Sequence, residues 1–136
     1  MEFLGYRRPD GQVGTRNYVG VISTVVCANE VAEDIAGLVA GAVSFTHHQG
    51  CCQTPMDVKR VNEVLIGLGS NPNLAAVLLV SLGCESTDIN QVAEGIRRTG
   101  KQVEVIGIQE TGGAVRTRAE GTLIVQNMAA EASSLK

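Results

Sequence analysis

Tryptophan is absent from the 136 residues, and phenylalanine and tyrosine supply only two residues each. A core made without large rings has to come from Val, Ile, Leu and Ala, and the 44% hydrophobic content is enough to build one. Basic residues are in no excess, since 11 Lys and Arg stand against 14 Asp and Glu for a net charge of −3. That balance gives no electrostatic case for nucleic acid, which favours a basic face. The longest apolar run, Leu74 to Leu82, is broken by Ser81 and falls far short of a membrane span. Met1 to Arg8 lacks the apolar core of a signal peptide. These absences predict a cytoplasmic protein with neither a membrane nor a nucleic acid as partner. The length suits one domain. In such a chain four cysteines point to thiol chemistry or a metal before disulfides.

The periodicity alternates between strand and helix. Residues 1–17, with glycines, Pro9 and several charges, read as an irregular N-terminal arm, and 18–136 as a single domain. Tyr18 to Val26 is apolar and β-branched, a strand signal. Val31, Ile35, Leu38 and Val39 then share a helical face. Ala42 to Thr46 is a short second strand. Thr54 reads as an N-cap, with Pro55 at the first helical position and Asp57 three residues on. Val58, Val61, Leu65 and Leu68 give that helix its stripe. Ala75 to Leu82 is almost wholly apolar, as a strand covered on both faces would be. Ser86 is expected to cap the next helix, whose buried face is Ile89, Val92, Ala93 and Ile96. Val103 to Ile108 is the fourth strand, and the last helix runs from about Ala114 to Ala130 before a frayed end at Glu131 to Lys136. The alternation predicts an α/β fold: a doubly wound, Rossmann-like, mostly parallel sheet of about four strands with helices on both faces.

In open α/β sheets, ligands sit beyond the carboxyl ends of the strands. Unusual residues fall there in this chain. The first strand leads to Cys27 and Asn29, the second to His47, His48, Cys51, Cys52 and Thr54, the third to Cys84 and Glu85, and the fourth to Glu110, Gly112 and Gly113. Soft thiolates from three loops suit iron, an iron–sulfur cluster or zinc. Each cysteine also precedes a helix, whose N-terminus favours the thiolate and would bind an anion. Cys51 and Cys52 are adjacent, so at most one of the two is expected to be a ligand and the other to pack. His47 and His48 are open to a ligand, acid/base or structural role, and Glu85 and Glu110 to a catalytic or a solvated one. No glycine-rich fingerprint follows the first strand, which disfavours a dinucleotide.

Gly5-Tyr6-Arg7-Arg8-Pro9-Asp10-Gly11 and Val13-Gly14-Thr15-Arg16-Asn17-Tyr18 resemble the start of the second domain of the D-galactarate dehydratase / altronate dehydratase family. Thr24-Val25-Val26-Cys27, His47 with Gly50-Cys51, and Ser81-Leu82-Gly83-Cys84-Glu85 continue the resemblance over nearly the whole chain. His48-Gln49-Gly50-Cys51-Cys52-Gln53-Thr54 is also similar to members that include the large subunit of (2R)-sulfolactate sulfo-lyase. The resemblance implies an iron-dependent lyase (Fe2+ or an iron–sulfur cluster) that removes water, or sulfite, from a small anionic hydroxy-acid. It implies Cys27, Cys51 and Cys84 as the iron thiols and His47 as a nearby ligand or acid/base. Cys52 stands where many members have Gly, which leaves open which thiol is the ligand. It also implies a larger C-terminal region, a small N-terminal domain or subunit, and so an inactive fragment; a homo-oligomer is compatible with this.

Within that reading, a metal polarises the substrate and His47 takes the proton, with Glu110 as a second catalytic candidate. Arg7, Arg8 or Arg16 would hold the substrate's far carboxylate, with Asn29 and Thr54 as further contacts. Two rival readings are a non-enzymatic thiol or metal-binding module and a nucleotide-binding regulatory domain. The first lacks a Cys-x-x-Cys pair and the second lacks a phosphate loop.

Overall fold

The structure, a computed structural model, describes residues 1–135. The end of the chain at Lys136 lies outside the described residues. Two short strands open the chain, β1 (Tyr6–Arg7) and β2 (Val13–Gly14). β3 (Tyr18–Ser23), α1 (Asn29–Gly37), β4 (Ala42–Phe45), α2 (Pro55–Gly69), β5 (Leu74–Ser81), α3 (Ile89–Arg97), β6 (Gln102–Gly107), α4 (Ile108–Thr111) and α5 (Ala114–Ser133) follow.

β3 to β6 form one all-parallel sheet in the order β4-β3-β5-β6. From β3 the chain moves outward to β4, then crosses back over to β5 and on to β6. The reversal places a switch point between β3 and β5, where doubly wound sheets open a ligand crevice.

Each face of the sheet is covered. On one, Val19, Val21, Leu78 and Val80 pack with Val31, Ala32 and Ile35 of α1 and Val125 and Met128 of α5. On the other, Ile22, Val77 and Leu79 pack with Leu65 of α2 and Val92, Ala93 and Ile96 of α3. β5 therefore buries both of its alternating sets, which is why its sequence reads as an unbroken apolar run.

The arm differs from the irregular segment expected. β1 and β2 pair antiparallel, Tyr6 with Gly14 and Arg7 with Val13. Arg8 anchors the arm. Only 5% exposed, it donates from Nε to the Pro72 carbonyl at 2.7 Å, from Nη1 to Asn17 Oδ1 at 2.9 Å and from Nη2 to the Arg16 carbonyl at 3.0 Å. Charge-assisted bonds of this kind fix a planar guanidinium in one orientation. Pro72 stands just before β5, so the arm covers the amino end of the sheet.

Thr54 caps α2 as expected, its hydroxyl accepting from the Asp57 amide. α3 is capped by Asp88, not Ser86: the Asp88 carboxylate accepts from the Gln91 amide at 3.0 Å. α5 continues to Ser133, three residues beyond the expected end. Among the described residues no helix is long and apolar enough to cross a membrane.

Candidate functional site

The carboxyl edge of the sheet is a set of four loops tied to one another. The Val26 amide, at the exit of β3, donates to the Gln49 carbonyl beyond β4 at 2.9 Å. The Ser86 amide beyond β5 donates to the Gly50 carbonyl at 2.8 Å. The Thr87 hydroxyl donates to the Thr24 carbonyl at 2.7 Å, and the Gln109 amide beyond β6 donates to the Leu82 carbonyl at 3.0 Å. Backbone groups leaving a sheet need partners, and here each loop supplies the next.

Two glycines make this closeness possible. Gly50 has φ +102°, and a Cβ there would sit 2.6 Å from the Thr24 carbonyl oxygen. Gly83 has φ +127°, and its Cβ would meet Gln109 Oε1 at 2.5 Å. Each combines a left-handed conformation with contact to a neighbouring loop, which only glycine tolerates.

Glu85 is the polar centre of the edge. Its Oε1 accepts from the Thr24 hydroxyl at 2.7 Å and the Leu82 amide at 3.2 Å, and its Oε2 from the Gly83 amide at 2.6 Å. Burial alone would raise its pKa, but the Thr24 and backbone hydrogen bonds outweigh burial and hold the carboxyl below its ordinary value.

His47 is equally engaged. Nε2 lies 2.9 Å from the Ser23 carbonyl, which can only accept, so the proton sits on Nε2. Nδ1 accepts from the Gln49 amide at 3.1 Å. Asn29 completes the tie, accepting the Ser23 hydroxyl at 2.5 Å and donating to the His47 carbonyl at 2.8 Å. Both ring nitrogens are thus bound to backbone, and neither has a lone pair free for substrate or metal. The expectation of His47 as a base meets this obstacle, because its partners are main-chain atoms that the sequence does not display.

The structure brings Cys27, Cys51, Cys52 and Cys84 to this edge, all reduced and exposed. Cys27 lies in the 3-10 turn Val26–Ala28, and Cys84 in the loop after β5 with Gln109 Nε2 3.9 Å from its Sγ. β3 and β5 are the neighbours flanking the switch point. The Cys51 and Cys52 sulfurs are 3.6 Å apart. The Cys51 thiol is pushed up, first by its hydrogen bond to Cys52, then by the charge of Cys52, and further by Cys27 and Cys84. All four sulfurs therefore share one electrostatic neighbourhood. The direction is opposite to that expected for Cys51 from the helix N-terminus, because the cysteine stands ahead of the first turn of α2 and the neighbouring sulfurs dominate.

Soft thiolates from three separate loops are a donor set of the kind iron accepts, and in that respect the residues fit the metal. Among the described residues, no three His, Cys, Asp or Glu side chains are close enough to form a cage as they stand.

The remaining expected residues divide by position. Asn29 and Thr54 lie on the carboxyl edge but spend their polar atoms on Ser23, His47 and Asp57. Glu110 is exposed in α4 on the same edge, packed over Gly107. Arg7, Arg8 and Arg16 lie at the opposite, amino end. Arg8 is used up by the arm, and Arg16 is held there by Asn73, which accepts its amide at 3.1 Å. Within one copy of the chain they are separated from the cysteines by the length of the strands. Arg116 stands at the carboxyl edge in the first turn of α5, its side chain 3.4 Å from the Cβ position of Gly112, and Arg60 of α2 lies beside the His47–Gln53 loop. A basic residue soon after Gly112-Gly113 was the available sequence signal.

A pocket of about 290 Å³ adjoins the His47–Gln53 loop, lined in part by Val61, Val64, Leu65 and Leu68 of α2. Its wall is mainly apolar, with Arg60 and Asp57 as the charged side chains that line it.

A family profile described as "D-galactarate dehydratase/Altronate hydrolase, second domain" matches residues 5–133. The (2R)-sulfolactate sulfo-lyase subunit beta of Chromohalobacter salexigens is 41% identical over 110 residues, covering 81% of this chain and 28% of that protein. The altronate dehydratase of Bacillus subtilis is 30% identical over 70% of this chain and 21% of its own length. That of Escherichia coli is 37% identical over 65% of this chain and 19% of its own length. The chain thus spans from just under a fifth to somewhat over a quarter of the length of these curated relatives.

Proposed function

The chain belongs to the D-galactarate dehydratase/altronate hydrolase second-domain family, and from that membership we propose that it is the thiol-bearing domain of an iron-dependent lyase acting on a small hydroxy-acid. The observation that supports this most is the gathering of Cys27, Cys51 and Cys84 on the switch-point edge of the sheet, in loops that hold one another in place. These three thiols would hold the metal.

When bound, iron would supply a Lewis acid for the substrate's carboxylate or leaving group. The chain's own residues do the rest. Thr24, Glu85, Asn29 and His47 fix the loops that present the thiols. Glu110 is an exposed carboxylate on this edge and takes the proton next to the substrate carboxylate. Arg116 offers a guanidinium to the substrate's anionic end, in the place expected for Arg7, Arg8 or Arg16.

The leaving group is water if the chain acts as the altronate dehydratases are named. It is sulfite if it acts as the sulfo-lyase is named, and the 41% identity to that subunit favours this second reading. A relative described as a subunit supports a partner chain completing the enzyme. The C-terminal region of such an enzyme would contribute the rest of the site, so residues 1–136 alone would be inactive.

The test is an anaerobic assay of the iron-loaded complete enzyme on altronate, galactarate and sulfolactate. Turnover of one of them is expected, with sulfite release identifying the sulfo-lyase reading. No turnover of any would overturn the lyase assignment.

A further inference from the structure

The Cys51–Cys52 pair has a geometry that a single metal ligand does not require. The two sulfurs face each other at 3.6 Å, and both side chains are exposed. Among the described residues, Cys52 is the one non-glycine residue with positive φ, at +52°. A side chain in the left-handed region is unfavourable, and glycine is the residue that avoids the cost. Residues kept in such conformations gather at functional positions. Here the conformation turns the second sulfur towards the first, although adjacent residues of an extended chain point apart.

We propose that Cys51 and Cys52 form a two-electron dithiol site that a peroxide closes to a disulfide and a dithiol reductant reopens. One thiolate attacks a peroxide oxygen, breaking the O–O bond and giving a sulfenic acid and a hydroxide, which takes up the proton that the thiol released and leaves as water. The second sulfur attacks the sulfenic sulfur and expels a second water. Two thiols are oxidised, one peroxide is reduced to two waters, and an S–S bond replaces two S–H bonds. The sulfurs need approach by only about 1.5 Å to reach bonding distance. Consecutive Cα atoms are closer than the usual span of a disulfide, so the closed form is readily reduced. The site stands whether or not Cys51 holds iron. If it does, closure withdraws that thiol.

The experiment uses the metal-free chain with a small excess of hydrogen peroxide, followed by alkylation and mass spectrometry. The expected product has lost two hydrogens and two alkylatable thiols. Its fragmentation finds residues 51 and 52 joined, and dithiothreitol restores the starting mass. Cys52→Gly, which relieves the left-handed residue, should fold and lose this product. Phenylarsine oxide, a probe for paired thiols, should bind one per chain to wild type, Cys27→Ser and Cys84→Ser but not to Cys52→Gly. A disulfide linking Cys27 or Cys84 to another loop, or the same product and arsenical binding in Cys52→Gly, would overturn the proposal. Because iron is absent, failure here is distinct from failure of the lyase reading.

Discussion

The Thr24 hydroxyl donates to Glu85 Oε1 at 2.7 Å, joining the loop that carries Cys27 to the loop that carries Cys84 across 61 residues of sequence. The same carboxylate also accepts the Leu82 and Gly83 amides, so one charge holds the turn and the tie together. Glu85→Ala should cost about 1–2 kcal/mol, at the low end for charged hydrogen bonds because the group is part-exposed. Its folded pKa lies below the ordinary 4.5, so its stabilisation is fully present above that value and is lost as the pH falls through the folded pKa. Urea denaturation at pH 7 and under acid checks this. The gap between wild type and variant should shrink in acid, and a constant gap would contradict it.

Gly50→Ala should loosen the edge more than any surface change. The added Cβ meets the Thr24 carbonyl at 2.6 Å and demands φ near +102° of an alanine. A cost of about 1–3 kcal/mol is expected from the conformation alone. Amide hydrogen exchange should rise at Val26 and Ser86, the two donors bonded across this loop. Unchanged protection at both would show that the loops do not depend on Gly50.

His47→Phe should remove a latch. With both ring nitrogens bound to backbone, the substitution orphans the Ser23 carbonyl and the Gln49 amide and should cost roughly 1–3 kcal/mol. Thermal denaturation of the variant gives the answer. If His47 were the base, the complete enzyme would instead lose activity by about a hundredfold or more with its stability unchanged.

Lys101 predicts a pH effect of the same sign in the alkaline range. Its ammonium donates to the Gly69 and Asn71 carbonyls at 3.0 and 2.7 Å, closing the end of α2. Burial, aided by Arg8 and opposed by Asp10, pulls its pKa from 10.5 down to about 8. Between those values the unfolded chain holds the extra proton, so this group's contribution to stability rises with pH. Wild type should gain on Lys101→Met as the pH rises from about 8 to about 10.5. A gap that narrows or stays level would contradict it.

The fold was legible because its signals are local. The apolar run of β5 and the Thr54-Pro55 start of α2 depend on neighbours in sequence. The start of α3 shows where that fails. Ser86, Thr87 and Asp88 are all capping residues, but the Thr87 hydroxyl is taken by the Thr24 carbonyl and the helix begins after Asp88. Arg8 was unreadable for the same reason, since its partner Pro72 is 64 residues away. In the site, the edge on which the cysteines lie followed from strand polarity alone. The commitment of His47 did not follow, because Ser23 and Gln49 bind it through backbone atoms. The pairing of Cys51 with Cys52 rests on a backbone angle that no composition encodes.

The lyase reading depends on whether the strand-end thiols bind iron together. Anaerobic addition of ferrous iron to the reduced chain, read by metal analysis and X-ray absorption, measures this directly. The expected result is stoichiometric iron with sulfur in its first coordination sphere in wild type, lost in Cys27→Ser and Cys84→Ser. Iron bound equally by wild type and both variants, or bound with no sulfur neighbour, would contradict it.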